Sequence, residues 1–97
     1  MRTKLLTIEE RREVLPRRVR FRTALDPNLY RKFRNAFAAQ LVRPDGTACD
    51  IRAELKLLRI YRRPPAPIEP PVLICTLYDV AEADVPIGTE LWYDDIA

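Results

Sequence analysis

Three arginines at alternate positions, Arg18, Arg20 and Arg22, with Arg17 beside them, are the residues whose type and spacing point most directly to chemistry. On an extended strand, alternate side chains share one face and stand roughly 7 Å apart, about the spacing of successive phosphates along a nucleic-acid strand. A guanidinium also forks onto two phosphate or carboxylate oxygens at once. Arg31 and Arg34, with Arg11 and Arg12, would widen such a patch. Phe21 falls on the opposite face of that strand, so the aromatic stacking that single-strand binders interleave with their cations is missing from the row. A neighbouring strand bearing Asp50 and Glu54, or the acidic end of another copy, would neutralise the same arginines without any nucleic acid.

The other residues with chemical promise lie late in the sequence. Trp92, Tyr93, Asp94 and Asp95 form a candidate protein interface; a tryptophan so placed either seals the core, the first expectation here, or docks into a partner. Glu90, Asp94 and Asp95 are oxygen ligands of the type that hard cations accept, but no calcium-loop spacing surrounds them, and no metal or other cofactor is expected. Cys49 and Cys75 read as two buried, reduced thiols rather than a disulfide or half of a zinc site.

Composition excludes more than these motifs establish. The 97 residues contain neither histidine nor serine. That removes Ser-His-Asp and Cys-His catalysis, an imidazole base and imidazole metal ligands. Glycine occurs only as Gly46 and Gly88, so no glycine-rich loop cradles a phosphate. No small-molecule substrate is evident, and no enzyme is expected.

Charge is strongly polarised. Residues 1–43 carry 12 basic and 4 acidic side chains, whereas residues 73–97 carry 6 acidic and no basic ones. Of the 17 cations, 14 are arginine, the residue suited to phosphates and to ion pairs at interfaces. Such polarity calls for an anionic partner or for pairing between acidic and basic ends, within one chain or head to tail between copies. No apolar run approaches the roughly 20 residues needed to span a bilayer, and the start of the sequence turns charged at Glu9 without a signal-peptide hydrophobic stretch. A cytoplasmic protein with no membrane partner is the expectation.

The elements that must position these residues follow from periodicity. Thr7 and Glu10 have capping-box spacing, which predicts a short helix over 8–15 ended by Pro16. Residues 17–23 alternate as a strand. Asp26 and Pro27 then read as N-cap and first position of a long amphipathic helix, with Leu29, Tyr30, Phe33, Ala36, Phe37 and Leu41 in one stripe. A turn at 43–47 leads to a strand through 50–57, with a bulge expected at Leu57 and Leu58. Five prolines in residues 64–71 read as a stiff connection within the domain. Strands over 72–78 and 89–93 follow, with one helical turn over 79–84 between them.

These elements predict a single α+β domain spanning 1–97, its long helix packed on an antiparallel sheet of about four strands. The function expected is non-enzymatic: an interaction or assembly subunit of a larger complex or homo-oligomer, a description that a phage or other virion component suits. The alternative is a nucleic-acid-binding domain that contacts phosphates through Arg18, Arg20 and Arg22.

Overall fold

In the computed structural model, which describes residues 2–9, 12–59 and 71–94, the chain forms one seven-stranded antiparallel sheet. The strands are β1 (Arg2–Thr7), β2 (Glu13–Leu15), β3 (Arg18–Arg22), β4 (Phe37–Val42), β5 (Ala48–Leu58), β6 (Val72–Tyr78) and β7 (Glu90–Asp94). Their order across the sheet is β1-β7-β4-β5-β6-β3-β2. Thus β5 is central, and β1 and β2 are the edges.

The α+β expectation is therefore corrected: no long helix is present among the described residues. Where the 3.6-residue stripe predicted one, the chain makes a five-residue 3-10 helix, Pro27–Arg31, and then enters β4. The start of that helix is present, since Asp26 accepts a hydrogen bond from the Asn28 backbone N–H at 2.9 Å and Pro27 follows it. Its continuation is not. Phe37 and Leu41, four residues apart, fit a two-residue period as well as a helical stripe, and Ala39 between them fits only the former. As a strand, β4 exchanges backbone hydrogen bonds with β5 on one side and β7 on the other. A helix there would strand the facing edges of both neighbours, and unpaired backbone groups are costly.

The short helix expected over 8–15 is also overturned. Thr7 ends β1, Glu13–Leu15 form β2, and Glu10 of the supposed capping box lies outside the described residues. The bulge expected at Leu57 and Leu58 is absent, because both pair in register with Leu73 and Val72. An irregularity sits instead in β1, between Lys4 and Leu6. Of the proline-rich connection at 64–71, residues 64–70 lie outside the described residues.

Strict alternation sorts the sheet into two faces. Val19 and Phe21 of β3, Ala39 and Leu41 of β4, Ala53 and Leu55 of β5, Leu73, Cys75 and Leu77 of β6, and Leu91 of β7 are buried on one side. Fully burying each leucine contributes about 1.5–3 kcal/mol. This core face is covered by the stretch around the 3-10 helix, whose Phe33 stacks on Phe37 and meets Tyr93 edge-on, and by Ile8, Val80 and Val85. The covering loop between β6 and β7 is tied to both halves of the sheet. Ile8 N–H donates to the Thr89 carbonyl at 2.8 Å, Val80 N–H donates to the Arg17 carbonyl at 3.3 Å, and the Arg12 guanidinium donates to the Val85 carbonyl.

Cys75 and Cys49 are both free, with Cys75 in the core and Cys49 half-buried. Burial pushes the Cys75 thiol up to about 12 from an ordinary 9.0. Its contribution to stability is accordingly complete below pH 9 and is lost as the pH rises toward 12, where only the unfolded chain has released the proton. Two outcomes are expected. A thiol reagent at neutral pH labels Cys49 in the native protein and Cys75 only after denaturation. Leu55→Ala lowers the free energy of unfolding by about 2–5 kcal/mol, with circular dichroism of β type before and after the change.

Candidate interaction face

The second face of the sheet has no layer over it among the described residues. Its side chains come from the positions alternate to the core, so the fold that buries Val19 and Phe21 necessarily turns Arg18, Arg20 and Arg22 outward. Directly opposite residues share a face, and the strand registers let rows be followed from strand to strand. One row reads Arg2, Asp94, Ala38, Arg52, Tyr78, Arg18, Leu15 across all seven strands, with Ala38 placed opposite Asp94 by continuing the register of Gln40 with Trp92.

The six arginines named from sequence are not brought together. Arg18, Arg20 and Arg22 form the expected ladder. Arg17 sits in the tight β2–β3 turn with a left-handed φ of 59°. Arg31 and Arg34 are exposed on the stretch that covers the core, across the sheet from the ladder. Arg12 is engaged with Val85 and lies 3.7 Å from Glu82, and Arg11 lies outside the described residues. Within the ladder, Arg20 holds the Glu13 carboxylate at 2.5 Å, so the neutralising strand is β2 rather than one bearing Asp50 and Glu54. Arg18 and Arg22 have no ion-pair partner among the described residues.

The candidate interface at the other end of the sequence is divided between the two faces. Tyr93 belongs to the core, packed against Phe33 at 5.0 Å between ring centroids. Trp92, expected in the core, lies instead half-buried on the open face, with its indole N–H directed to Glu90 at 3.2 Å and Arg2 at 5.9 Å from its ring. Asp94 shares the open face, and Asp95 lies outside the described residues. Glu90 is also held by Lys4 at 3.0 Å, and these two hydrogen bonds keep its carboxyl below the usual range. It stays ionised as the solution is acidified toward its ordinary pKa and releases Lys4 only below that.

Tyr78 and Arg52 are site residues that sequence reasoning passed over. Arg52 lies over the Tyr78 ring at 4.8 Å, and the Tyr78 hydroxyl donates to Glu54 at 3.1 Å. The signal was present, because Arg52, Glu54 and Lys56 alternate with the core residues of β5, but placing Tyr78 beside Arg18 required the register of β6. Ala38, small among large neighbours, opens a shallow depression on either side: one of about 210 Å³ toward Trp92 and one of about 430 Å³ toward Tyr78. Gln40 Oε1 in the first is shielded from solvent and has no hydrogen-bond partner among the described residues.

Charges of both signs interleave on this face. Asp94 and Asp50 lie toward β7, β4 and the start of β5, without ion pairs among the described residues; Arg18 and Arg22 lie toward β3. Among the described residues no group of three or more Cys, Asp or Glu side chains is placed to hold a metal ion, and no helix is long and apolar enough to cross a membrane. Comparisons with protein-family models, curated proteins and solved structures found no significant match.

An unsatisfied shielded acceptor costs about 1–3 kcal/mol, whereas an apolar group of similar size in its place costs little. Gln40→Leu is therefore expected to leave the free energy of unfolding unchanged or to raise it by up to about 1 kcal/mol, read by denaturant titration.

Proposed function

We propose that this protein is a non-enzymatic assembly subunit that docks on other protein through the open face of its sheet. One observation carries the reading: among the described residues the seven-stranded sheet has a layer on one face only, and its other face mixes unpaired charges of both signs with apolar side chains. Leu58, Ile74, Tyr78, Trp92 and Ala38 all contribute to it. Interfaces of proteins combine such apolar and aromatic side chains with a polar rim. The interleaved carboxylates argue for a protein partner over a phosphate backbone, which Asp50, Glu54 and Asp94 would repel. The reading places the protein in the cytoplasm, where both thiols stay reduced. A virion component remains a natural member of this class.

Binding of tagged protein to an extract of its source cells tests the reading. A polypeptide held in fixed stoichiometry, a second copy included, is expected with the native sequence and with Ile87→Asp, which changes an exposed residue away from the sheet. It is expected to be lost with Ile74→Arg or Tyr78→Arg. Equal capture by face and control variants, or capture of no polypeptide, overturns the reading.

A second reading, nucleic-acid binding, is favoured by the position of Tyr78 between Arg18 and Arg52, which supplies the aromatic that the ladder alone lacks. It predicts that affinity for a fluorescent single-stranded oligonucleotide falls roughly tenfold or more between 50 and 200 mM salt. The triple change of Arg18, Arg20 and Arg22 to alanine would abolish most of that salt dependence. Anisotropy with no dependence on those arginines dismisses it.

A further inference from the structure

The open face is complementary to itself. In the sheet order, β7 and β3 each lie two strands from β5, on opposite sides. Asp94 on β7 and Arg18 on β3 fall in the same row as Arg52, so they stand roughly 10 Å to either side of the central strand. The intervening strands carry Ala38 on one side and Tyr78 on the other. A two-fold axis lying between two copies and running along β5 exchanges those sides. It sets each Asp94 over the other copy's Arg18, and each Tyr78 over the depression left by the other copy's Ala38.

We infer that the partner on this face is a second copy of the chain, in a two-fold sandwich held by reciprocal Arg18–Asp94 pairs and by Tyr78 seated at Ala38. This rests on the proposed docking role of the open face and names its occupant. Two sheets pack about 10 Å apart with their strands turned by about 30°, an offset that the long Arg18 side chain spans. Because acidic and basic groups share one face, the contact is reciprocal and closed rather than a head-to-tail chain. Arg52 meets its own counterpart near the axis. Its guanidinium is already drawn onto Tyr78, but the like charges oppose each other, and Arg52→Gln is expected to tighten the dimer.

The decisive experiment is size-exclusion chromatography with light scattering across a concentration series, with absorbance read at 260 and 280 nm. The intact chain is expected to elute at twice its mass, free of nucleic acid. Arg18→Asp and Asp94→Arg should each raise the dimer dissociation constant at least tenfold. The double variant, which restores opposite charges across the axis, should return it to within a few-fold of the original. Both residues are exposed, so circular dichroism should show that every variant keeps its fold. A monomer at all concentrations, single variants with no effect, or a double variant no better than either single one overturns the inference. A monomer that still holds a source-cell polypeptide through the same face overturns only the identity of the partner, leaving the docking role intact. Excess absorbance at 260 nm, lost with the arginine ladder, overturns both.

Discussion

Seven consecutive residue pairs join β5 to β6, from Arg52 with Tyr78 to Leu58 with Val72, and the rest of the sheet is hung from this central ladder. Its register decides the character of both faces. Side chains alternate with a period of two, so a slip by one residue would turn Arg52, Glu54 and Lys56 into the core and expel Ala53, Leu55 and Leu57. No neighbouring strand could tolerate that exchange, because β3 and β4 take their own inside and outside from β6 and β5. One registration thus propagates outward to the arginine ladder near one edge and to Trp92 and Asp94 near the other.

The described residues cover only one face of this sheet. A domain of this size removes only about three-fifths of its unfolded surface from water. Among the described residues the covering material is two irregular stretches, around Phe33 and around Val85, both laid on the same side. The opposite side must either be satisfied by water or find another surface. Its arrangement, with carboxylates and guanidiniums interleaved and a small residue beside a large aromatic one, resembles neither a uniformly solvated face nor a continuous basic track. That pattern is what favours a protein contact over a polyanion.

Much of this was legible residue by residue, and the failures have physical causes. The alternation in residues 17–23 and 50–57, the continuous apolar run over 72–78 and the short strand over 89–93 named four of the seven strands, and the alternation gave the facing of Arg18, Arg20 and Arg22, because such patterns are local properties. The helix assigned through Phe37 and Leu41 failed because those side chains satisfy both periods, and only the presence of β5 and β7 on either side decides between them. β1 escaped notice because its partner, β7, is distant in sequence, and β2 because it is only three residues long, the short arm of a tight hairpin with β3. The split of Trp92 from Tyr93 follows from the same pleat, yet which of the two faces inward depends on Phe33 from a different part of the chain. Tyr78 was hidden for a similar reason: nothing near it in sequence shows that it stands between two arginines.

The position of β7 has a temporal consequence. Among the described residues β1, made first of the seven strands, pairs with β7 alone, which is made last of the seven and lies between β1 and β4. During synthesis at about 5–20 residues per second, β1 waits on the order of 5–20 s for its neighbour. Until then Leu5, Leu6 and the open side of β4 have no place in the sheet. The register irregularity in β1 and the cations Arg2 and Lys4 are features that discourage edge-to-edge association, and on a polysome crowded with identical nascent chains they would act before the sheet is complete.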